Sequence, residues 1–361
     1  GCIALALASE APYRLLSPRE AILRVRLAVQ SALSALPHQN GILPHFVDSH
    51  TGQVHGSDHF STIETAWMAA GALWAAAFLH DSVLERLARQ LAERIDWYYW
   101  TAPNESDIPL LRHGQTREGR FLRSSWDRLN GETVFMYVLA TGAAEDRAVP
   151  VTAWSHLRSF HGTAGGLYFN NSDLGLFVFQ YGLDLLNLSV WLTPKGIDLA
   201  AESGVAAEAN YRVCRQMAPV YTTYRDYWGL SAGDGPAVPP AAFAYRCYAP
   251  GGPIDGTANI TATLASIGCQ PDLVWENLHR ATCEQRWPLL GRYGFSNVNA
   301  DCDWVSSDMV GIDAGAVVLA LDNYLNDNRV RKVFHSLPCV QRGLERSGFQ
   351  APLPPPPLRA A

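Results

Sequence analysis

The sequence has little charge and no long block of one sign. Only 17% of its 361 residues are Asp, Glu, Lys or Arg, and 28 basic against 34 acidic side chains leave a formal net charge of -6. Proteins that bind nucleic acids draw most of their affinity from clustered Lys and Arg. The composition therefore argues against a nucleic acid partner.

Motifs that would indicate a bound nucleotide, a zinc ion or a disulfide framework are also missing. No glycine-rich phosphate loop of the Walker or dinucleotide-binding kind occurs, so kinase and dehydrogenase chemistry have no support. The seven cysteines form no Cys-x-x-Cys pair and have no histidine at zinc spacing. We expect them to be mostly free, small core residues, and no cofactor is predicted.

Histidine is concentrated in one loop, at His38, His45, His50, His55 and His59. The spacings are not those of a helical histidine pair, and no carboxylate motif completes a ligand set. Isolated histidines more often hydrogen-bond to the backbone. The sequence therefore predicts no metal site.

Apolar and aromatic residues are abundant. The chain is 48% hydrophobic, with 11 Trp, 14 Tyr and 13 Phe. Aromatic rings with a polar edge suit sugars, although most such rings fill cores. The longest stretch without strong polarity, residues 66–79, is shorter than the roughly 20 residues that a bilayer requires. It is predicted to be a buried helix, and no membrane span is expected.

The N-terminal residues do not determine the cellular compartment of the protein. Gly1 and Cys2 stand where an initiator methionine is expected, which indicates a missing or processed start. Residues 3–8 are too short for a complete signal sequence but could be the end of one. A periplasmic or secreted location is the hypothesis that such a start favours.

Helix signals dominate the chain. Ser17-Pro18-Arg19-Glu20, Ser61-Thr62-Ile63-Glu64 and Ser82-Val83-Leu84-Glu85 read as capping boxes, and each predicts the start of a helix. Apolar spacing predicts nine more helices. Their approximate ranges are 130–140, 151–160, 173–191, 199–217, 259–267, 271–287, 312–324, 329–336 and 339–346.

Long loops separate these helices, at residues 37–60, 101–129, 219–257 and 290–311. Loops of this length inside a domain are usually functional. Strand signals are confined to them, for example a hairpin over 42–54 with its turn at 48–52. No linker divides the helices, so one domain over 1–349 is predicted, followed by a proline-rich tail over 350–361.

Twelve helices and long aromatic-rich loops favour an all-α toroid in which inner and outer helices pair and the loops form a cleft at one end. An irregular helical bundle and a solenoid are the alternatives. No fixed-period repeat is visible, which argues against the solenoid.

Six motifs, in order along the chain, resemble those of the glucoamylase-like domain family, which includes endo-β-1,2-glucanases and the glucan-processing domain of cyclic β-1,2-glucan synthases. The resemblance spans residues 45–349 and implies an (α/α)6 barrel with small peripheral β-hairpins that acts on β-linked glucan. The motifs are Ser61-Thr62-Ile63-Glu64-Thr65-Ala66, residues 227–236, Asp255-Gly256-Thr257, residues 291–295, Gly311-Ile312-Asp313-Ala314-Gly315 and residues 341–346.

The chain also departs from the family pattern. A His-Gln-Tyr-Ser-His run reads Phe179-Gln180-Tyr181-Gly182-Leu183 here, so Gln180 and Tyr181 are kept and both imidazoles are lost. Glu64 replaces the family's Asp, and Ala314 replaces a Gln. Gly131 separates Asn130 from Glu132 in what resembles the family's Asn-Glu motif.

Cleavage of a glycosidic bond needs two carboxyl groups, one protonated and one ionised. Glu132 falls in the first turn of a predicted helix, after Trp126-Asp127. The helix dipole favours its ionised form, so a role as an acid would need desolvation. An exposed glutamate that only complements the dipole is the alternative, and Asp127 is a further candidate.

A second acidic group lies in residues 301–313, where Asp308 and Asp313 match acidic family positions and Trp304 stands between acids. Clustered acids raise one another's pKa, which could keep one carboxyl protonated. Helix capping and calcium binding are the alternatives, although the spacing is not that of an EF-hand. Glu202 and Glu208, on the helix after Pro194, are a third and weaker possibility.

The resemblance also implies a substrate-binding set in the loops, whose alternative is loop packing. Its members are Trp126, Gln180, Tyr181, Tyr224, Tyr227, Trp228, Asp234, Tyr245, Asp255 and Trp304.

The sequence thus predicts a glycoside hydrolase or transglycosylase on β-glucan, expected to be β-1,2-linked, with Glu132 and either Asp308 or Asp313 as the acid/base pair. One alternative is a barrel that binds glucan without cleaving it. Another is a lyase or epimerase on the same fold, in which Tyr and His act as the base.

Overall fold

The computed structural model describes residues 1–101, 108–237, 244–283 and 286–350. Within these ranges the chain is rich in helix, as the sequence predicted, and its strands are short. The helices are α1 (Cys2–Leu7), α2 (Pro18–Ser34), α3 (Thr62–Leu79), α4 (Ser82–Glu93), α5 (Gly131–Thr141), α6 (Ala153–His156), α7 (Phe177–Gln180), α8 (Leu199–Met217), α9 (Ile260–Ala265), α10 (Pro271–Cys283), α11 (Gly311–Leu325), α12 (Arg329–His335) and α13 (Pro338–Ser347).

The described strands form five separate two-stranded antiparallel sheets. The pairs are β1 (Phe60–Ser61) with β2 (Gly114–Gln115), β3 (His161–Ala164) with β4 (Leu167–Asn170), β5 (Ala232–Gly235) with β6 (Ala244–Cys247), β7 (Leu290–Gly291) with β8 (Gly294–Phe295), and β9 (Val298–Asn299) with β10 (Trp304–Val305).

Each of the three predicted capping boxes lies at the start of a helix, but only one caps as expected. Ser17 Oγ accepts a hydrogen bond from Glu20 N at 3.2 Å. The cap of α4 is Asp81, whose carboxylate accepts from Leu84 N at 2.7 Å. Ser61 makes no cap bond and instead donates its hydroxyl to Glu64. The side chain of Glu64 is therefore held at the start of α3.

Helix α3 is a core helix. Its length and mean hydropathy of 1.2 would suffice to cross a membrane, yet 56% of its residues are buried inside the fold. Trp74 is fully buried and donates its indole N–H to Val330 O at 2.8 Å. The burial predicted for residues 66–79 is confirmed.

Helix α5 lies deeper still, because each of its residues is buried. Two glycines allow α13 to pack directly against its end. A Cβ at Gly142 would lie 1.9 Å from Cys339 O, and one at Gly343 would lie 2.0 Å from Val138 O. No other residue fits such a contact without movement of the backbone. Close packing against α13 thus fixes the C-terminal end of the helix that carries Glu132.

The predicted helix over 173–191 is wrong. Only α7 and a single 3₁₀ turn, Leu188–Val190, occur there. Gly182 adopts a left-handed φ of +80°, and a Cβ at that position would lie 2.1 Å from Gly131 O. A continuous helix cannot contain that backbone, so the contact with α5 overrides the apolar pattern.

Two further local expectations are corrected. The predicted helix over 151–160 is a single turn, α6, and the β3–β4 hairpin that follows lies outside the predicted loops. The predicted hairpin over 42–54 is reduced to one bridge between Val47 and Val54.

The structure also shows the state of the cysteines and the contacts of Gln350, near the C-terminus. All seven cysteines are free, but Cys247, Cys283 and Cys302 are exposed, so the expectation of core cysteines is wrong for these three. Gln350 pairs with Leu192 through backbone hydrogen bonds of 2.7 and 3.1 Å. The rest of the predicted proline-rich tail, 351–361, lies outside the described residues.

Candidate active site

Glu132 lies in the first turn of α5, where Asn130 caps the helix by accepting from Thr133 N at 2.9 Å. Its side chain is only 8% exposed. Burial, with a smaller contribution from the charge of Glu64, raises the pKa of Glu132 to about 8. The carboxyl is therefore predominantly protonated at neutral pH, although the helix dipole favours its ionised form.

The residue before it explains how Glu132 is buried. A Cβ at Gly131 would lie 2.7 Å from Tyr181 O, so the chain at 181–182 packs against the start of α5. Gly131, which interrupts the family's Asn-Glu motif, is the residue that permits this approach. Helix α3 also packs against α5, where Trp67 stacks on Phe135 with ring centroids 4.4 Å apart.

A second pair of acids lies at the β5–β6 sheet and the start of α11. Asp234 is 4% exposed, accepts from Asn297 Nδ2 at 2.6 Å, and also accepts from the Ser306 hydroxyl. Burial raises its pKa above the usual range, and the charge of Asp308 adds to this. Asp313 is in the first turn of α11, and burial together with Asp234 raises its pKa to about 7.

Tyr181 connects the two groups of acids. Its carbonyl oxygen lies against Gly131, and its hydroxyl donates to Ile312 O, next to Asp313. Burial raises the pKa of the Tyr181 phenol, and the charges of Asp313 and Glu132 both add to this. One tyrosine side chain therefore spans the distance between the starts of α5 and α11.

Tyr245 lies within electrostatic reach of the same acids. It stands opposite Asp234 in the β5–β6 register, so the two side chains are cross-strand neighbours. Burial raises the pKa of Tyr245, with further contributions from Asp313, Asp234 and Glu132. Tyr245 nevertheless remains 45% exposed, so part of it is open to solvent.

The predicted pair Trp126 and Asp127 lies beside His113. Trp126 stacks on the His113 ring at 4.1 Å and donates its indole N–H to Thr62 Oγ1 at 3.0 Å. Asp127 forms an ion pair with Arg158 and exerts its charge on His113, whose pKa is lowered by burial. The charge of Glu64 acts to raise the pKa of both His113 and Glu132. His113, and with it Trp126 and Asp127, therefore lies within electrostatic reach of the same glutamate as Glu132.

Other predicted site residues have structural contacts. Glu202 accepts from Asn170 N at 2.8 Å and thereby joins β4 to α8. Gln180 is buried and donates to Ala262 O at 2.6 Å and to Ser266 Oγ at 2.9 Å. Neither residue contacts the acids of α5 or α11 through these bonds. Their positions favour packing over catalysis or binding.

The aromatic motif residues of the long loop before α9 are also in the core. Tyr227, Trp228 and Tyr224 are 3%, 2% and 0% exposed, so their faces are not available to a sugar. Asp255 accepts from Tyr248 at 3.1 Å and from Thr257 N at 3.0 Å, which fixes the local turn.

The two remaining predicted residues lie near Asp234. Trp304 is half-buried in β10, two residues before Ser306, which donates to Asp234. Asp308 is exposed, and its backbone N–H donates to Ser306 Oγ at 3.1 Å. Asp308 thus contributes charge to Asp234, and it is more exposed than Asp313.

The sequence reasoning left Glu64, Trp67 and His113 out of the site. Glu64 could have been found from its position in the first turn of α3, at a motif that the chain shares with the family. The motif Ser61-Thr62-Ile63-Glu64 was interpreted as a helix-capping box instead. Trp67, one turn later, has an indole N–H that is buried without a partner among the described residues.

A cavity of about 340 Å³ lies apart from these acids, between α7, α8 and α9. Its lining includes Gln180, Asp184 and Arg331, but not Glu132, Asp234 or Asp313. Burial raises the pKa of Asp184 to about 7, although Arg331 opposes this. We assign the candidate site to Glu132, Asp234 and Asp313, because cleavage of a glycosidic bond needs two carboxyl groups and Asp184 is the one carboxyl among the described residues that line the cavity.

Residues 229–233 read Gly-Leu-Ser-Ala-Gly, which is also the pattern of a hydrolase nucleophile elbow. Ser231 is 3% exposed, and its hydroxyl accepts from Phe177 N at 3.0 Å. The hydroxyl is thus engaged in packing α7 and has no histidine among its described contacts.

A family model described as "Putative glucoamylase" matches residues 123–338, which include Glu132, Asp234 and Asp313. The chain belongs to this family. The resemblance inferred from the six motifs is thereby confirmed. No curated protein matches the chain.

Solved structures share the fold. A "putative glucoamylase" from Bacteroides caccae has a TM-score of 0.84 at 20% identity, over 98% of this chain and 87% of its own. The endo-β-1,2-glucanase of Chitinophaga pinensis, in complex with sophorotriose and glucose, has a TM-score of 0.80 at 19% identity, over 97% and 86%. That of Talaromyces funiculosus, with sophorose, has a TM-score of 0.60 at 11% identity, over 95% and 75%.

Proposed function

We propose that the chain is a glycoside hydrolase that cleaves β-glucan, with β-1,2-glucan as its expected substrate, on an (α/α)6 barrel. Membership of the glucoamylase family and the shared fold of two named endo-β-1,2-glucanases support the substrate class. Glu132 of α5 and Asp313 of α11 are the proposed reacting groups.

The observation that carries the proposal is the burial of the Glu132 carboxyl, which raises its pKa to about 8. A general acid must hold its proton at working pH and release it to the leaving oxygen. With a pKa of about 8 in a buried first turn, Glu132 meets this requirement. Within the described residues it has no ion pair with a basic side chain that would keep it ionised.

Asp313 is the second carboxyl. Its pKa of about 7 leaves a substantial ionised fraction at neutral pH, and Tyr181 spans from its helix start to that of Glu132. In the proposed reaction Glu132 donates its proton to the bridging oxygen as the bond to C1 breaks. Asp313 takes a proton from the water that attacks C1, or attacks C1 itself if the enzyme is retaining.

The surroundings suit a carbohydrate. Trp126 and Tyr245 present partly exposed rings near the acids.

The test is to incubate the protein with β-1,2-, β-1,3- and β-1,4-glucans and to follow chain shortening by mass spectrometry. We expect products from β-1,2-glucan, and none from Glu132→Gln. If the parent binds β-1,2-glucan but releases no product, the barrel is a binding domain and not an enzyme. An unsaturated product that absorbs in the ultraviolet would indicate a lyase.

A further inference from the structure

Three side chains of the loop before α3 converge on one point. His45 Nδ1 and His59 Nδ1 lie 3.2 and 3.0 Å from the same atom, Asp58 Oδ1. Each of the three side chains offers one ligand atom, a ring nitrogen or a carboxylate oxygen, that lies within 4.8 Å of those of the other two. Two imidazole nitrogens and one carboxylate oxygen form a ligand set typical of divalent transition metals.

The backbone holds these residues in place. His45 N donates to His59 O at 2.8 Å, so the two histidines stand on paired segments of the loop. Phe46 N donates to Asp58 Oδ2 at 2.6 Å, which leaves Oδ1 turned toward the two rings. A site that is ordered before its ligand arrives loses less conformational entropy on binding.

The separations suit a metal ion. With ligand bonds of about 2.0–2.2 Å, the distances of 3.2 and 3.0 Å from Asp58 Oδ1 to the two imidazole nitrogens correspond to angles of roughly 90–100° at the ion between the carboxylate oxygen and each nitrogen. The side chains of His45, Asp58 and His59 are 31%, 15% and 29% exposed. Water can therefore reach the cluster and fill the remaining coordination positions.

The second nitrogen of His45 provides independent support. His45 Nε2 lies 3.6 Å from Glu64 Oε1, and Glu64 is itself held by the Ser61 hydroxyl. A histidine that binds a metal through one nitrogen usually directs the other N–H to a carboxylate or carbonyl, which fixes the ring and its tautomer. His45 has a carboxylate on each side in this arrangement.

We propose that His45, Asp58 and His59 bind one divalent transition-metal ion, with water as the other ligands. The ion joins the two segments of the loop to each other and, through His45 and Glu64, to the start of α3. This differs from the sequence-based expectation of no metal, which overlooked Asp58 as the completing carboxylate. The site does not depend on the proposed hydrolase activity.

The test uses the full chain without an affinity tag, freed of metal with a chelator and titrated with ZnCl₂ by calorimetry. We expect one zinc ion per chain with a dissociation constant on the order of 10 µM or tighter. Cobalt(II) should bind at the same site and give visible absorption bands of a nitrogen- and oxygen-ligated ion. Absence of saturable binding overturns the proposal.

Variants locate the site. His59→Ala and Asp58→Asn should each weaken zinc binding at least about tenfold and abolish the rise in melting temperature that zinc causes. His50→Ala and His55→Ala are matched controls, since both residues are exposed in the same loop but outside the cluster, and should bind zinc like the parent. Circular dichroism without zinc checks folding, and His45→Asn replaces any variant that fails it. Zinc binding that survives loss of a cluster ligand overturns the assignment.

Discussion

Three of the aspartates that lie against an arginine can be compared with three acids of the candidate site that do not. The first set is Asp81 with Arg26, Asp173 with Arg128, and Asp322 with Arg329. The second set is Glu132, Asp234 and Asp313, which form no ion pair with a basic side chain among the described residues.

The two sets differ in the protonation that the fold favours. Hydrogen bonds from Arg26 and Arg128 hold the pKa of Asp81 and Asp173 below the usual range. Burial instead raises the pKa of Glu132 to about 8 and that of Asp313 to about 7. Identical functional groups therefore serve as fixed anions in one region and as groups that exchange protons near neutrality in the other.

The largest effect is expected from Glu132→Gln, which removes the proton donor but keeps the shape. Turnover of β-1,2-glucan should fall by about 10³-fold, because general acid catalysis contributes roughly 10²–10⁴-fold. Glu202→Gln is the matched control: its carboxylate lies in the first turn of α8 but bonds to Asn170 N, and turnover should change less than about threefold. Equal loss of activity in both variants would contradict the assignment of Glu132.

The second prediction concerns Asp322, one of the aspartates that form an ion pair with an arginine. Asp322 is fully buried and accepts hydrogen bonds from Arg329, from Tyr13 at 3.1 Å and from Asn326 at 2.9 Å. Asp322→Asn leaves Arg329 without its counter-charge and should lower the free energy of unfolding by about 3 kcal/mol. Urea unfolding at pH 7 measures this. A loss below about 1 kcal/mol would show that the pair contributes little.

The third prediction concerns Glu132, which has no arginine partner among the described residues. Here, replacing the carboxyl should increase the free energy of unfolding. The Glu132 pKa is 4.5 in an ordinary environment and about 8 in the fold, so ionisation of the unfolded chain lowers stability as pH rises from 4.5 to 8. That pKa difference corresponds to roughly 4–5 kcal/mol, which relaxation around the charge should reduce to about 2 kcal/mol. Glu132→Gln should therefore be more stable than the parent by about 2 kcal/mol at pH 8. At pH 4 the two proteins should unfold alike, and a gain that does not vary with pH would point to packing instead.

Helices with a cap and a regular apolar stripe could be predicted from the sequence. The range 199–217 agrees with α8, which Asp198 caps by accepting from Ala201 N at 2.9 Å. Residues 173–191 carry a similar apolar pattern, but Gly182 packs against Gly131 in a left-handed conformation. That contact is between distant parts of the chain, and a local pattern does not contain it.

The site shows the same limit. Glu132 and Asp313 could be selected because each is an acid in the first turn of a helix and matches an acidic position of the family. Tyr227 and Trp228 lie in an equally clear motif but are buried in the core, because a motif records packing as well as binding. The approach of Asp58 to His45 depends on backbone pairing between residues 44 and 60, which the histidine spacing did not reveal.

The smallest effect is expected in the pH profile of the parent. The proposed reaction needs Asp313 ionised, which is favoured above pH 7, and Glu132 protonated, which is favoured below pH 8. The rate constant kcat/KM should therefore follow a bell with its maximum between pH 7 and 8, and fall about tenfold by one pH unit beyond either limb. Initial rates on β-1,2-glucan between pH 5 and 10 measure the profile. The residual activity of Asp313→Asn should lack the acid limb. If that limb persists, the base is another carboxyl. Asp234 is the neighbour to test next, because it is buried beside Asp313 and its pKa is also raised.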